Sequence, residues 1–402
     1  MVISILSNSN LRKRQYRILK AVSYIMRILI LTASTGGGHK SAAAALKNTI
    51  EKNDPSAKVE ICDAIQYCGK LYNRFICSGY VVLATKTPKL YGKLYDISDR
   101  ESKINNLCNH LNSLEGKKLL SLFENFNPDV VISCHAFVTT MLAGLKYKNR
   151  LSFPVISLIT DFCPHKTYFF PEIEAYVTPT DQMVDEITEQ NGIERSRLYP
   201  LGIPIADKFY AQSDRSKTAR ELGFETNKQT VLLMAGSFGV SEVLNFFESL
   251  DKSDRDCQCI IITGKNHKLY RAFQEYLSNK EIPHKKSKLF EFVDNVEEYM
   301  HFADLAVTKP GGLTVTESLA CRLPMALYSA FPGQESENAK FLQKTGAAVL
   351  LDKDPDKGGK SIAQLLADSE KLEDMKQNCE KISKKNSALN IYRLAQRLAS
   401  NS

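Results

Sequence analysis

Residues 27–41 read RILILTASTGGGHKS, an apolar run followed by three glycines, a histidine and a lysine. A short run of Ile and Leu without alternation is typical of a parallel strand that is covered on both faces. The glycines allow a tight turn with close backbone approach, and the residues from His39 onward fit a helix. This stretch therefore predicts the strand–loop–helix unit of a doubly wound α/β sheet.

The same alternation of strand and helix continues along the chain in two series. Strands are predicted at 27–33, 58–62, 129–134, 155–159 and 175–178, and then at 231–234, 259–263, 305–307, 325–328 and 347–351. Helices fit at 39–51, 137–146, 181–190, 240–250, 267–277, 313–321 and 336–344, and the tail from residue 361 predicts two or three amphipathic helices. Two such series predict an α/β protein with two Rossmann-like, doubly wound domains that face a cleft.

The order of these elements suggests four segments. Residues 1–25 form a basic N-terminal extension, or an upstream artefact, because Met26 stands directly before the first strand. We predict one Rossmann-like domain over residues 26–205 and a second over residues 206–375. Residues 376–402 are predicted as C-terminal helices. Ligands of such folds bind where strands end, so we expect the functional side chains in the loops between the two domains.

The composition excludes several classes of protein. The 402 residues are 43% hydrophobic and 24% charged, as in ordinary globular proteins, and no apolar run is long enough to span a bilayer. Ten cysteines without a secretory signal indicate free thiols, and Cys257 and Cys259 have no neighbours that complete a zinc site. Residues 1–50 hold eight basic and no acidic residues, whereas the rest holds 45 of each sign. This distribution disfavours nucleic acid as a partner and leaves an anionic membrane surface open.

Two titratable side chains in the first half follow predicted strands. His39 comes after Gly37 and Gly38, and its imidazole can accept a hydroxyl proton near neutral pH. A tight turn with an incidental histidine is the structural alternative. Asp161 ends the strand at 155–159 and can orient or ionise a catalytic partner, although a plain aspartate turn has the same pattern. We expect both side chains at the cleft.

Three loops in the second half have features of a phosphate or sugar site. Glycines precede helices at 236–239 and at 309–317, where backbone amides can hold a phosphate, and a structural loop is the alternative. Thr314 and Glu317 share one helix face, so the carboxylate can accept hydrogen bonds from a ribose diol; a capping box of these two residues is the alternative. The third loop carries Gln334, Glu335 and Asn338, which can bind sugar hydroxyls or serve only as a polar first turn.

Together these loops resemble the GT-B glycosyltransferases, in the branch of the bacterial diacylglycerol glucosyltransferases and the plant monogalactosyldiacylglycerol synthases. The motifs that carry the resemblance are GGGH at 36–39, TDF at 160–162, KPGGLT at 309–314 and PGQESEN at 332–338. The resemblance covers about residues 26–350. The extension 1–25 is not part of the pattern, and the loop after Asp161 varies across the family, so details of the acceptor site do not transfer.

The resemblance implies inverting transfer of a hexose from a UDP-sugar to the hydroxyl of 1,2-diacylglycerol, which gives a β-glycosyl lipid. Glucose is favoured over galactose, and the number of sugars added stays open. His39 and Asp161 would be catalytic, with Asp161 favoured as the base. The substrate-binding residues would be Gly37, Gly38, Gly236, Ser237, Phe238, Gly239, Phe292, Val293, Gly311, Gly312, Leu313, Thr314, Glu317, Gln334, Glu335 and Asn338. The backbone at Phe292 and Val293 would contact uracil. Because helix termini can stabilise the departing UDP, no metal or other cofactor is expected.

The resemblance also implies a membrane partner. Apolar residues at 70–99, flanked by Lys86, Lys89 and Lys93, fit an interfacial segment, with a buried amphipathic helix as the alternative. The protein would be cytoplasmic and peripherally bound to the inner face of the plasma membrane, where it meets diacylglycerol in an anionic surface. The oligomeric state stays open. Two other functions share this architecture: a UDP-HexNAc 2-epimerase and a non-catalytic UDP-sugar sensor.

Overall fold

The ten apolar runs predicted as strands all form strands in the computed structural model. The structure describes residues 25–33, 37–69, 116–235, 242–279, 284–328 and 333–401. The central strands are buried along their whole length, because helices cover both faces of each sheet. The basic extension up to residue 24 and the segment 70–99 lie outside the described residues.

The strands form two parallel sheets of six. The first contains β1 (Arg27–Thr32), β2 (Lys58–Asp63), β3 (Val130–Ser133), β4 (Val155–Leu158), β5 (Ala175–Val177) and β6 (Leu198–Tyr199), in the order β2-β1-β3-β4-β5-β6. The second contains β7 (Thr230–Met234), β8 (Gln258–Ile262), β9 (Ser287–Phe290), β10 (Leu305–Thr308), β11 (Met325–Leu327) and β12 (Ala348–Leu350), in the order β12-β11-β10-β7-β8-β9. The predicted α/β class with two doubly wound sheets is confirmed.

The helices lie between these strands and beyond the last one. They are α1 (Gly37–Asn53), α2 (Ala64–Cys68), α3 (Leu120–Phe126), α4 (Ala136–Tyr147), α5 (Asp181–Asn191), α6 (Arg215–Leu222), α7 (Glu242–Asp251), α8 (His267–Ser278), α9 (Val296–Phe302), α10 (Gly312–Ala320), α11 (Gln334–Lys344), α12 (Pro355–Ala367), α13 (Ser369–Ile382) and α14 (Ser387–Ser400). No helix among the described residues combines the length and the apolar character needed to cross a bilayer.

The prediction missed six of these elements. Helices α2, α3, α6 and α9 have five to eight residues, which is too short for a clear helical period. Strand β6 has two residues. Strand β9 is an edge strand with polar residues, so it lacks the apolar run of a central strand. The cysteines of the described segments are free thiols, and Cys257 and Cys259 are buried core residues as predicted.

The last helix joins the two halves of the chain. Although α14 follows the second sheet in sequence, it packs against α1 of the first. Its buried residues Ile391 and Leu394 belong to the same hydrophobic cluster as Leu46 of α1. Tyr392 Oη donates a hydrogen bond of 2.5 Å to Asp54 Oδ2. The division of the chain into domains at residues 205 and 375 stays a prediction.

Candidate active site

Two glycine-rich helix starts meet where the two sheets face each other. Helix α10 packs against α1, and a Cβ built on Gly38 would lie 3.5 Å from Leu313 Cβ. A Cβ on Gly312 would lie 2.0 Å from the carbonyl oxygen of Thr160 and 3.3 Å from Asp161 Oδ1. Position 312 therefore requires glycine, because any side chain would overlap with the backbone of the loop after β4.

His39 lies in the first turn of α1 and is bonded to the loop after β4. Its Nδ1 is 2.9 Å from Thr160 Oγ1, and the backbone of Cys134 accepts a further hydrogen bond from the ring. The side chain keeps part of its surface exposed. These partners come from the ends of β3 and β4, so the parallel sheet itself brings the histidine and the loop together.

Asp161 is held by an amide from the second sheet's side. Its Oδ1 accepts a hydrogen bond of 3.2 Å from Asn338 Nδ2. The same amide donates to the Pro310 carbonyl at 2.9 Å and accepts from the Phe162 N–H at 2.7 Å. Asn338 is fully buried. It therefore links the loop after β4 to the loop after β10, whereas its predicted contact with a donor sugar stays a prediction.

Burial dominates the electrostatics of this pair. Burial raises the pKa of Asp161, which the positive charge of His39 and the Asn338 hydrogen bond partly oppose. Burial lowers the pKa of His39, and the negative charge of Asp161 opposes that shift. A carboxylate with a raised pKa is a stronger base, which suits removal of a hydroxyl proton near neutral pH.

Three further side chains at this edge were not selected from the sequence. His135 follows β3, and its ring centroid lies 4.6 Å from that of His39. His165 and Tyr168 lie in the loop after β4; the charge of His165 lowers the pKa of Asp161, and burial together with Asp161 raises the pKa of Tyr168. The position of His135 in the sequence could have identified it. It directly follows the strand predicted at 129–134, and residues that follow parallel strands lie at the same edge of the sheet as His39 and Asp161.

The start of α10 lies on the opposite side of the cleft. Its N-cap is Gly311, and no side chain caps this terminus. The capping box of Thr314 and Glu317, the structural alternative, is therefore wrong, because the helix begins two residues before Thr314. Burial raises the pKa of Glu317 to about 8; the nearby Lys208 lowers it, and Glu297 raises it.

A buried lysine follows β10 beside these groups. Lys309 is 5% exposed, and burial lowers its pKa, which the carboxylates of Glu335 and Glu242 oppose. The same carboxylates contribute, after burial, to a raised pKa of Tyr328. Lys309 begins the KPGGLT motif but was not among the residues predicted to bind substrate. Its burial next to acidic side chains is a tertiary property that the local pattern does not contain.

The remaining predicted residues are distributed along the second sheet's side. Phe292 follows β9 and is 65% exposed, while Val293 packs against the core. Gln334 and Glu335 begin α11. Gly236–Gly239 lie outside the described residues, and so do Gly36 and Pro332 of the other motifs. Within the described part of the chain, no three His, Cys, Asp or Glu side chains are grouped to hold a metal ion, and a metal-free reaction stays a prediction.

Family models of known proteins match both halves of the chain. The family model described as monogalactosyldiacylglycerol (MGDG) synthase matches residues 39–205, and that of the glycosyltransferase family 28 C-terminal domain matches residues 230–398. A processive diacylglycerol beta-glucosyltransferase from Bacillus pumilus is 31% identical over 369 residues, which cover 91% of this chain and 93% of that protein.

Solved structures show the fold. MurG from Acinetobacter baumannii matches with a TM-score of 0.62 at 14% identity, over 92% of this chain and 99% of that one. UDP-GlcNAc 2-epimerase from Neisseria meningitidis, crystallised with UDP-GlcNAc, matches with a TM-score of 0.59 at 13% identity, over 92% of this chain and 100% of that one. These likenesses confirm the predicted GT-B fold.

Proposed function

The chain belongs to the family of the processive diacylglycerol beta-glucosyltransferases, and on that premise we propose that it transfers glucose from UDP-glucose to the free hydroxyl of 1,2-diacylglycerol. It is a UDP-sugar-dependent hexosyltransferase. One observation carries the proposal for the site: a Cβ on Gly312 would lie 3.3 Å from Asp161 Oδ1. A half-buried carboxylate and an uncapped helix start thus face each other. The proposed reaction needs such a pair, because the carboxylate serves the acceptor hydroxyl and the helix start serves the donor diphosphate.

The acceptor side of the proposed reaction uses Asp161 as the base. The acceptor oxygen forms a bond to C1 of glucose, the bond from C1 to UDP breaks, and the hydroxyl proton moves to Asp161. Attack from the face opposite UDP inverts C1 and gives a β-glycoside. His39 is the weaker candidate for the base, because its Nδ1 is paired with Thr160 Oγ1 and burial favours its neutral form. It would orient the acceptor or the donor sugar.

The donor side would hold the leaving group without a metal. Backbone amides of Gly311–Thr314 at the start of α10 would bind the diphosphate, because a helix N-terminus favours negative charge. The glycines at 236–239 would add amides, and Glu317 would bind the ribose. Phe292 and Val293 would contact uracil through their backbone, and Gln334, Glu335 and Asn338 would lie near the glucose. Addition of EDTA should leave the rate unchanged if this assignment holds.

The acceptor is a membrane lipid, so the protein must reach a bilayer. We propose that it binds peripherally to the anionic inner face of the plasma membrane through the apolar, lysine-flanked residues 70–99. Purified protein should therefore sediment with vesicles that contain diacylglycerol and anionic lipid. It should sediment less with vesicles of neutral lipid alone.

A transfer assay tests the proposal directly. Purified protein is incubated with diacylglycerol vesicles and, in turn, UDP-glucose and UDP-galactose, and the lipids are analysed by mass spectrometry. We expect mono- or oligoglucosyl diacylglycerol from UDP-glucose. Absence of lipid product with every UDP-hexose would contradict the proposal. A parallel reaction with a UDP-HexNAc in lipid-free buffer detects the 2-epimerase alternative through proton exchange at C2, and binding of UDP-glucose without turnover would indicate a sensor.

A further inference from the structure

His135 is the N-cap of α4, an unusual position for a histidine. Its Nδ1 accepts a hydrogen bond of 3.2 Å from the Phe137 amide. A ring nitrogen that accepts a backbone N–H carries no proton, so the proton of this imidazole is on Nε2. Ser, Thr, Asp and Asn are the usual N-cap residues, and none of them brings a ring. The cap therefore fixes both the orientation and the tautomer of His135.

The fixed ring lies against His39. The two ring centroids are 4.6 Å apart, and the planes are inclined by 70°, so the edge of one ring meets the face of the other. His135 is 8% exposed, and the ring of Phe137 lies 5.1 Å from it. This packing limits rotation of the His39 side chain, and it keeps Nδ1 of that residue 2.9 Å from Thr160 Oγ1.

Buried hydroxyl groups support His135 from the sheet. Ser133 Oγ donates a hydrogen bond of 3.1 Å to the His135 carbonyl oxygen. Thr139 Oγ1 donates to Ser133 Oγ at 2.9 Å and lies 3.0 Å from Ser157 Oγ. The row thus runs from β4 through α4 to the end of β3. The position of His135 is therefore set by buried hydrogen bonds to β3, β4 and α4.

The charges around the two rings are unequal. Burial, and then the positive charge of His39, lower the pKa of His135 well below its ordinary value. Asp161 favours the charged form of His39 and therefore opposes the effect of burial on that ring. Cys134 contacts His39 through its backbone, His165 and Tyr168 lie near Asp161, and Lys40, the neighbour of His39 on α1, is paired with Asp63. Two adjacent imidazolium rings repel each other, so at most one of the two rings is positively charged.

We propose that His135 is a positioning residue that holds the His39 ring in its working orientation and shields that ring from water. This inference rests on the proposed function, because it concerns the acceptor side of that site. His135 acts through His39 and not on the substrate. A merely structural N-cap would stabilise α4 and leave the titration of His39 unchanged.

Two substitutions distinguish the role of His135 as the N-cap of α4 from the role of its ring beside His39. His135→Asn retains a cap acceptor and removes the ring, whereas His135→Phe retains a ring and removes the acceptor. Thr180→Ala is the matched control, because Thr180 caps α5, which follows β5 of the same sheet, by accepting from the Met183 amide at 3.3 Å. The titration of His39 is followed in 13C-histidine NMR spectra of the full chain, where its signal is identified by its loss in His39→Asn.

In His135→Asn, water reaches the space beside His39, so the pKa of His39 rises toward the ordinary value. The acid limb of kcat/KM against pH then moves to higher pH, and kcat falls by about 10- to 100-fold, the range for a small misplacement of a reacting group. The affinity for UDP, measured by calorimetry, is unchanged. In His135→Phe the pKa of His39 stays low, and in Thr180→Ala both the titration and kcat are those of the wild type.

A folded His135→Asn protein in which His39 titrates as in the wild type would overturn the inference. If that protein does not fold, His135→Ser, which also provides a cap, serves in the same measurement. The NMR titration needs no transfer reaction, so the outcomes are distinct. Absence of glucosyl transfer with a shifted His39 removes the proposed function, whereas normal transfer with an unshifted His39 removes this inference alone.

Discussion

The two sides of the cleft are built from the same strand–loop–helix unit but satisfy their polar groups differently. On the side of the first sheet, His39 is bonded to Thr160, and Asp161 is bonded to Asn338. On the side of the second sheet, no side chain caps the start of α10, and burial raises the pKa of Glu317 to about 8. The first side holds its predicted catalytic groups in place through protein contacts, and the second has groups suited to a ligand.

This difference predicts that residues on the first side affect the chemical step, whereas residues on the second side affect binding of UDP-glucose. Groups that are already oriented by protein partners need no rearrangement when the transition state forms, so their loss should lower kcat. Groups that gain their partner from the nucleotide contribute to ground-state binding, so their loss should raise KM for UDP-glucose. Four substitutions test this separation.

The largest effect is expected for Asp161→Asn. Asparagine has nearly the same shape but cannot take the hydroxyl proton, so kcat should fall by roughly 10²–10⁴-fold, the usual range for acid–base groups. The affinity for UDP should not change. Initial rates with saturating UDP-glucose and diacylglycerol vesicles give kcat, and calorimetry gives the affinity.

The stability of Asp161→Asn is the control for this loss. Burial raises the pKa of Asp161 in the folded protein. Ionisation of this carboxyl therefore costs stability as the pH rises above the value of the unfolded chain, and the variant avoids that cost. Its melting temperature at neutral pH should equal or exceed that of the wild type. A near-normal kcat would exclude Asp161 as the base, and a loss of UDP binding would break the separation of the two sides.

Gly312→Ala should affect both sides at once, because Gly312 is their point of contact. The new Cβ would lie 2.0 Å from the Thr160 carbonyl, so the two loops must move apart. We expect kcat/KM to fall by about 100-fold, as a displacement near 1 Å at a reacting centre can cause. Gly311→Ala is the matched comparison, since its Cβ would meet nothing within 4 Å and its φ is −74°. An equal loss in both variants would show that the contact does not matter.

Glu317→Gln should act on donor binding. Because the pKa of Glu317 is about 8, the carboxylate predominates only above that pH, where it accepts stronger hydrogen bonds from ribose hydroxyls. The KM of the wild type for UDP-glucose should therefore fall as the pH rises through 8. The variant should lack this trend and have a KM about 10-fold higher at alkaline pH, the scale of one charge-assisted hydrogen bond. A change confined to kcat would contradict the comparison.

The same residue gives a stability test that needs no substrate. The pKa of Glu317 is raised from an ordinary 4.5 to about 8 in the folded protein. Such a group contributes stability below its unfolded pKa and loses it as the pH rises through the folded value. Between about pH 4.5 and 8 the free energy of unfolding of the wild type should therefore fall relative to that of Glu317→Gln, as measured by urea denaturation. A constant difference between the two proteins would refute the raised pKa.

The sequence predicted most of the fold because parallel strands covered on both faces leave unbroken apolar runs. The runs at 129–134 and 305–307 became β3 (Val130–Ser133) and β10 (Leu305–Thr308) with shifts of one residue. The rule that ligands bind at the carboxyl ends of strands also selected His39 and Asp161, whose side chains the structure brings to one edge. Strands β6 and β9 were not predicted, because they lie at the edges of the sheets and an edge strand does not need an unbroken apolar run.

What the sequence did not predict depends on contacts across the chain. Asn338 and Asp161 are 177 residues apart, and Thr160 and His39 are 121 apart. No local period connects such positions. His135 stands next to His39 because β1 and β3 are neighbours in the sheet, with Leu31 paired to Ser133, and that pairing follows from topology and not from composition.

Tyr392→Phe should have the smallest effect and none on the reaction. The hydroxyl donates to Asp54 Oδ2 at 2.5 Å and ties α14 to the end of α1, away from the cleft loops. Its loss should lower the free energy of unfolding by about 0.5–1.5 kcal/mol, the value of one hydrogen bond. The pKa of Asp54 is lowered by hydrogen bonds from Ser56 and then from Tyr392, so the stabilisation is present at neutral pH and is lost as the pH falls through the folded value.

Urea denaturation at neutral pH and near pH 3 measures this loss, with Tyr147→Phe as the control because Tyr147 is 76% exposed. The kcat and the KM for UDP-glucose of Tyr392→Phe should match those of the wild type. If kcat fell instead, the contact between α14 and α1 would have to control how the two sides of the cleft meet. The second half of the chain would then act on the first side of the cleft through α14 as well as through Asn338, which already holds Asp161.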